Sequence, residues 1–210
     1  MRIHDISIPI ASDMVSWDDG PGPAVDRYLR IEDGELVNNT RVLLDLHAGT
    51  HVDAPYHFLG DGGRIDAVDL SRLCGPCYVA HTTAAMIDAS VLDGMQLPHV
   101  ERILFKTNNV GLYARRTFVR DYVALDLSGA EWLVRRRIKA VGIDYLSIEQ
   151  FEGMDGSVHR ALLSNDVAIL EAVDLANVAV GSYFLVALPI KVAGAEAAPV
   201  RAVLLEGALA

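Results

Sequence analysis

A short stretch of the sequence concentrates side chains that bind metals and move protons. The segment DLHAGTHVDAPYHF, residues 45–58, contains His47, His51, Asp53 and His57, and three of the seven histidines of the chain lie in it. Imidazole and carboxylate groups so close together are typical of a site for zinc, manganese or iron. A proton relay, or a set of loop histidines beside a capping Asp, would also explain the cluster.

The spacing predicts how these side chains meet. Residues two apart in an extended segment point to the same side, so His51 and Asp53 can reach one ion. Gly49 permits a tight turn after the strand-like RVLLDLH, and this turn can bring His47 back beside them. His57 follows Pro55 and is either a fourth ligand or an acid/base that binds no metal.

Two more candidates lie in GSVHRALLSNDVAILEAV. His159 precedes a predicted helical turn, and Glu171 ends an apolar strand, where a carboxylate is either a ligand or a solvated terminus. With both added, the ligands exceed those of one tetrahedral ion and predict two divalent ions bridged by a carboxylate. Two such ions activate water and polarise a carbonyl, which is the chemistry of amide or ester hydrolysis.

Two other interpretations of these residues remain open. His51, Asp53 and His159 alone match the 2-His-1-carboxylate pattern of non-haem iron oxygenases. That pattern has no use for His47 or Glu171, so it is the weaker prediction. A protein that binds the metals without turning over a substrate is the third possibility.

The elements that must hold these residues are mostly short strands. The clearest helix is predicted for residues 128–139, where Ser128 and Glu131 would form a capping box, and shorter helical turns are predicted for residues 89–93 and 160–163. The polar segment at residues 17–39 is predicted to be a long loop.

Strands at both ends and helices in the middle predict an α/β or α+β fold with a mixed sheet. No linker or repeat is visible, so a single domain over residues 1–210 is expected.

Composition excludes several classes of partner. The formal net charge of −10 argues against binding to phosphate backbones, so no nucleic-acid partner is expected. No signal peptide is recognisable, and the most apolar tract is too short and broken to span a bilayer, so we expect a cytoplasmic protein without a membrane partner.

The only two cysteines, Cys74 and Cys77, form a Cys-Gly-Pro-Cys string of the kind found in thioredoxin-like redox centres. Such a centre works at the start of a helix, whose N-terminus lowers the pKa of the first thiol. Here the string leads into CYVAHTT, which is typical of a strand. A redox function is therefore not favoured.

The segment HAGTHVDAPYH resembles the His-x-Gly-Thr/Ala-His-x-Asp-x-Pro-x-His signature of the cyclase-like metal-dependent hydrolases, which include bacterial kynurenine formamidase (arylformamidase) and isatin hydrolase. The similarity extends through DIS, GPC, VGID, AILE and LPIK…APVRAVL, and so over nearly the whole chain. The resemblance implies an α/β fold, a swivelling β/β/α domain with a mixed, strand-rich sheet, usually assembled as a dimer or tetramer.

The same resemblance implies a metal-binding role for five residues. His47, His51 and Asp53 would hold the first of two divalent ions, usually zinc, with manganese or iron as alternatives. Asp53 would also bridge to a second ion, held with His159 and Glu171.

The resemblance further implies the reaction. His57 would be the proton donor and acceptor for a metal-activated water, and Trp17 would contact an aromatic substrate unless it only anchors its loop. The substrate would be a small aromatic amide. N-formyl-L-kynurenine, from tryptophan catabolism, is the first candidate, and isatin or another lactam or lactone is the second. The DDGPGP that follows Trp17 departs from the Pro-Gly-Asp-Thr-Pro run of the formamidases, so the class of chemistry is better defined than the substrate.

Overall fold

A curled sheet of nine strands organises the protein in a computed structural model, which describes residues 1–207. The strands of the protein are, in chain order, β1 Arg2–Asp5, β2 Ala24–Leu29, β3 Asn39–Leu43, β4 His51–Asp53, β5 Cys74–His81, β6 Arg102–Lys106, β7 Ala140–Ile143, β8 Ala168–Glu171, β9 Gly181–Val186, β10 Ala197–Pro199 and β11 Val203–Glu206. The α-helices are α1 Ala89–Gly94, α2 Leu127–Arg135 and α3 Ser157–Leu163. Within residues 1–207, none of the helices has the length and apolar character needed to cross a membrane.

The large sheet is mixed, with a parallel centre. Its strand order is β1-β11-β9-β5-β6-β7-β8-β4-β10, while β2 and β3 form a separate hairpin. The neighbouring strands β5, β6, β7 and β8 are parallel and are connected through α1, α2 and α3 in turn. The other pairings in this sheet are antiparallel. This architecture confirms the predicted α/β class with a mixed, strand-rich sheet.

Side chains that alternate along the central strands fill two cores. Ile103 and Phe105 of β6 pack on the helical side of the sheet together with Leu133 of α2. Leu104, between them, belongs to the core on the opposite side, which also contains Val52 of β4. Burial of each such side chain contributes about 1.5–3 kcal/mol to stability. The short strand β4 is therefore anchored by its central residue.

Helix α2 has different limits from those predicted. Its N-cap is Asp126, whose Oδ1 accepts a hydrogen bond from the Gly129 amide at 2.8 Å, and Ser128 donates its hydroxyl to the same carboxylate at 2.8 Å. The predicted capping box at Ser128 is therefore wrong, because Asp and Ser are similarly good N-caps and Asp126 lies closer to the true start. The helix ends at Arg135, and Arg137 has a φ of 57° that is incompatible with its continuation to residue 139.

The segment predicted to be a long loop contains a β-hairpin. Ala24–Leu29 pairs antiparallel with Asn39–Leu43, so the strand-like RVLLDLH ends as a strand at Leu43 and not at His47. Most residues on both faces of the hairpin are exposed. It consequently lacks the alternation of apolar and polar residues that reveals a half-buried strand in a sequence.

Candidate metal centre

Strand β4 places the first two candidate ligands on one side of the sheet. It pairs with β8 and β10, and in this register His51 lies opposite Glu171. His51 Nε2 is 3.4 Å from Asp53 Oδ1 and 3.3 Å from Glu171 Oε2. All three side chains are buried. Backbone pairing between two strands therefore sets these distances, and they do not depend on a loop.

A turn before β4 returns His47 to the same cluster. Gly49 has a φ of 66°, which glycine adopts without the steric cost of a Cβ. His47 Nδ1 consequently lies 3.1 Å from Asp53 Oδ1. A Cβ on Gly49 would also come within 3.3 Å of Met14 Cε. The turn predicted from Gly49 is thus present, although it follows a loop.

The third histidine comes from a helix. His159 lies inside α3, where the sequence placed it before a helical turn, and its side chain is buried. Its Nε2 is 3.4 Å from Glu171 Oε1 and 4.0 Å from Asp53 Oδ2. The five candidates thus form two groups that share Asp53: His47, His51 and Asp53 in one group, and Asp53, His159 and Glu171 in the other.

The polar atoms of this cluster fit a divalent cation. Within the described part of the chain, His51 Nε2 and both carboxylate oxygens of Asp53 are buried without a hydrogen-bond partner. An unpartnered buried carboxylate is costly, and buried charges are normally paired or coordinate a metal. A cation among these nitrogen and oxygen atoms would satisfy them, and such ligands suit zinc, manganese or iron. The assignment of each residue as a ligand stays a prediction.

Hydrogen bonds at Nδ1 fix the ring orientations of two histidines, His51 and His159. His51 Nδ1 lies 2.8 Å from the carbonyl oxygen of Gly49, to which it can donate, and this leaves Nε2 free to face the cluster. His159 Nδ1 lies 2.7 Å from Glu149 Oε2 in the same way. Glu149 is buried and its Oε1 accepts the Gly156 amide at 2.9 Å. A carboxylate behind a ligating histidine selects its tautomer and increases its basicity.

Sequence reasoning missed Glu149. It lies ten positions before His159 in the segment DYLSIEQFEGMDGSV, which contains several acidic residues. Nothing in the spacing distinguishes Glu149 from the exposed Glu152 nearby. Only the fold reveals the pairing, because the loop must turn back before α3 to bring this carboxylate to the histidine ring.

We expect Glu149→Gln to weaken metal binding about 10- to 100-fold, because the amide no longer fixes the tautomer of His159 by charge. Competition with a chromophoric chelator measures this affinity. The matched control is Glu152→Gln, which neutralises an exposed carboxylate on the same loop. Equal affinities for the two variants would contradict an orienting role for Glu149.

Neighbouring carboxylates raise the pKa values of two histidines in this cluster. Burial tends to lower the pKa of His51, but its contacts with Asp53 and Glu171 dominate and raise it to about 10. Burial also tends to lower the pKa of His159, but contacts with Glu149 and Glu171 outweigh this effect and raise the pKa to about 9. Protons thus occupy these rings at neutral pH when no cation does. Because a ligating nitrogen must be deprotonated, metal affinity is expected to rise with pH across this range.

His57 lies beside the cluster and differs from its members. It ends the short 3-10 helix Pro55–His57, and its ring centroid is 4.2 Å from that of His47 and 6.0 Å from that of His159. It is half-buried and lines the cavity. Burial lowers the pKa of His57 below its ordinary value, so the ring is neutral near pH 7. A neutral imidazole at this position can accept a proton.

Trp17 both anchors its segment and lines the cavity. Its ring lies 4.9 Å from that of Phe118 and 5.4 Å from that of Phe151, measured between centroids. The same segment is held by Asp19, whose carboxylate accepts the Phe118 amide at 2.6 Å. The Trp17 side chain nevertheless remains 40% exposed. The two roles considered for Trp17 are thus compatible in this structure.

A cavity of about 830 Å³ opens over the cluster. His47, His57, His159 and Glu171 form its polar end. The remaining wall is largely apolar and includes the 3-10 helix at Trp17, the base of the hairpin β2–β3 and the loop after β7. The volume lies within the range of small-molecule sites.

The two cysteines lie on a strand, as expected from the sequence. Both belong to β5, so no helix begins at the Cys-Gly-Pro-Cys string. Cys77 is buried, and burial raises the pKa of its thiol to about 12. A thiol of this kind is inert at neutral pH, because the thiolate is the reactive form.

We expect iodoacetamide at pH 8 to alkylate the partly exposed Cys74 and to leave Cys77 unmodified in the native protein, as counted by mass spectrometry. A Cys74→Ser, Cys77→Ala double variant should retain its hydrolytic activity. Loss of activity without loss of fold would instead support a redox function.

A β/β/α architecture with a buried cluster of histidines and carboxylates suits the metal-dependent hydrolases. Comparison with known families agrees, since residues 4–150 match the family described as putative cyclase. The chain belongs to this family, and its relatives indicate a hydrolase.

Relatives of the chain include two named proteins. It is 36% identical to Cyclase-like protein 3 of Oryza sativa subsp. japonica, with 98% of this chain and 80% of the relative covered. It is 32% identical to the kynurenine formamidase of Erythrobacter litoralis (strain HTCC2594), with 98% and 94% covered. Both matches extend over almost the whole chain.

Solved structures show the same fold. A potential metal-dependent hydrolase with cyclase activity superposes with a TM-score of 0.83 at 30% identity, covering 97% of this chain and 96% of the other. Isatin hydrolase A from Labrenzia aggregata superposes with a TM-score of 0.82 at 17% identity, covering 97% and 93%. The second likeness is one of fold alone.

Proposed function

We propose that the protein hydrolyses the amide bond of a small aromatic amide at a centre of two divalent metal ions. The observation that carries this proposal is the position of Asp53, whose two unpartnered oxygens face different sets of candidate ligands. Three of those candidates, His47, His159 and Glu171, line the polar end of a largely apolar cavity. Membership of a family whose relatives include a formamidase supports it.

The chain supplies the ligands for both ions. Each of these residues is buried, except His47, which lies in close contact with Asp53. The ligands are His47, His51 and Asp53 for one ion and Asp53, His159 and Glu171 for the other. Zinc is the first candidate, and manganese or iron would also suit nitrogen and oxygen ligands. When bound, such ions lower the pKa of a water molecule and polarise a carbonyl oxygen.

His57 would move the protons of the reaction. Its neutral ring accepts a proton from the attacking water and later delivers one to the departing nitrogen. The ring is available for this because His57 belongs to neither group of candidate metal ligands. The oxygen of water bonds to the carbonyl carbon while the bond from carbon to nitrogen breaks. An aryl formamide plus water thus gives an aryl amine plus formic acid, and a lactam gives the ring-opened amino acid.

The substrate is proposed in order of support. N-formyl-L-kynurenine comes first, because the formamidase of Erythrobacter litoralis is 32% identical over nearly its whole length. Isatin or another lactam or lactone comes second, and the apolar walls of the cavity favour this candidate. The iron-oxygenase interpretation is not favoured, because His47 and Glu171 also contact the cluster and the relatives indicate hydrolysis.

We further propose a homo-oligomer, a dimer or tetramer, in the cytoplasm. Exposed apolar side chains on the hairpin, among them Val25, Tyr28 and Val42, support self-association. The two unpaired thiols support a reducing compartment. Native mass spectrometry tests the first statement and cell fractionation the second.

The function is tested by hydrolysis of N-formyl-L-kynurenine and of isatin, after chelation and again after addition of zinc or manganese. We expect metal-dependent turnover of at least one substrate, at an ordinary enzymatic rate of about 1–10³ per second. Turnover that survives chelation would reject the metal centre. No turnover of either compound by metal-loaded protein would reject both proposed substrates.

A further inference from the structure

We propose that the cavity selects aromatic amides whose end remote from the reacting amide carries no net negative charge, and that it discriminates against an anionic end. This inference rests on the proposed hydrolysis and defines the substrate class of the same site. It concerns the apolar side chains of the cavity wall, which we call the distal wall. The distal wall is formed by Val15, Trp17, Leu43, Leu44, Leu146 and Met154.

The distal wall offers little to replace the hydration of an anion. All six of its side chains are apolar or aromatic. A carboxylate that enters such surroundings loses water without gaining a charged partner, which is unfavourable. A neutral aromatic group gains from the same surface, because apolar area is removed from water.

Positive charge is missing where a carboxylate would need it. Among the residues that line the cavity in the described part of the chain, none is a Lys or an Arg. Arginine is the side chain best suited to hold a carboxylate through paired hydrogen bonds. Two arginines behind the Trp17 segment have other partners, since Arg116 pairs with Asp13 and Arg120 lies 2.6 Å from Asp18.

The charge present at the rim has the opposite sign. Asp45 lines the cavity, and its Oδ1 accepts the backbone amide of His47 at 2.9 Å, which fixes its position. Its carboxylate is exposed, so water weakens its field, but its sign favours a cation and disfavours an anion. The net charge of −10 acts in the same direction during substrate approach.

The metal centre does not reverse this preference. Ions held by the candidate ligands would act at the polar end of the cavity, and Asp53 and Glu171 would neutralise part of their positive charge. The inference places a carboxylate at the far end of a substrate against the apolar side chains of the distal wall.

Four aryl formamides that share one aryl ketone and differ in the charge of the side chain test this inference. They are 2′-formamidopropiophenone, which is neutral, N-formylkynuramine, which is a cation, N-formyl-L-kynurenine, which is a zwitterion, and the desamino analogue of N-formyl-L-kynurenine, which is an anion. With metal-loaded protein, we expect kcat/KM for the neutral compound and the cation to exceed that for the anion by about tenfold or more. The zwitterion should lie between them.

A positive charge introduced into the distal wall should reduce this preference. Leu43 is 77% exposed and lines the cavity, so Leu43→Arg adds a cation there without opening the core. We expect this variant to raise kcat/KM for the anion relative to the neutral compound by about tenfold. Leu43→Gln is the matched control, because it adds a polar side chain without charge and should leave the ratio unchanged.

The outcomes separate this inference from the proposed function. Faster hydrolysis of the anion than of the neutral compound by the parent protein, or no change of ratio in Leu43→Arg, would overturn the charge preference and leave hydrolysis established. If none of the four is hydrolysed, the proposed reaction fails for this class. Calorimetric binding of the four compounds to the metal-loaded protein then decides the charge preference, which equal affinities would overturn.

Discussion

Asp53→Asn is expected to abolish binding at both proposed metal sites and to reduce the proposed hydrolysis by about 10³-fold or more. Removal of a single oxyanion donor from an enzyme already costs about 10²- to 10³-fold. Asp53 Oδ1 faces His47 at 3.1 Å, and Oδ2 faces His159. Asparagine keeps the shape but has one oxygen and no charge, so neither group of ligands remains complete.

The measurement is metal content by plasma mass spectrometry, together with kcat/KM for the best substrate. Asp166→Asn serves as the control, because Asp166 is an exposed carboxylate that pairs with Arg72 away from the cluster. Thermal unfolding of the chelated proteins shows whether the variant folds. A folded Asp53→Asn protein that still binds two ions would contradict the shared position of Asp53.

His57→Gln should lower kcat by about 10²- to 10⁴-fold, the range for loss of a general acid/base, with metal content unchanged. The reason is geometric, since His57 lines the cavity beside His47 yet lies outside both groups of candidate ligands. His81→Gln is the control, because it removes an exposed histidine on β5. Hydrolysis by His57→Gln at the parent rate would contradict the role of His57 as general acid/base.

The pH profile gives a second test of His57. Burial lowers the pKa of His57 below the ordinary histidine value of about 6.5, and a proton acceptor works in its neutral form. The parent activity should therefore be insensitive to His57 above that value and should fall as the pH drops through the lowered pKa. His57→Gln should lose this part of the acidic limb. An unchanged profile in the variant would indicate that only the metal centre titrates there.

Much of the site was visible in the sequence because its members are local. His47, His51, Asp53 and His57 follow one another within a short segment, and the strand period and Gly49 predict their convergence. The mixed α/β sheet was also predictable, since most of its strands are apolar runs. Distant partners were harder, because His159 and Glu171 join only through the sheet register and the position of α3.

The remaining errors have physical causes. Glu149 lies in a polar loop and acts on His159 through the fold alone. The hairpin β2–β3 carries little burial, so hydrophobic periodicity gave no sign of it. The start of α2 was misassigned because Asp126 and Ser128 are both good caps, and the choice depends on backbone dihedrals.

The position of β4 between β8 and β10 has a consequence for biosynthesis. Although His47, His51 and Asp53 leave the ribosome early, Glu171 and the edge strand Ala197–Pro199 follow much later. A nascent chain therefore carries exposed histidines that cannot yet form a selective pocket. The full set of candidate ligands exists only after Glu171 has been synthesised, and an ion bound by this set would connect an early segment of the chain to a late one.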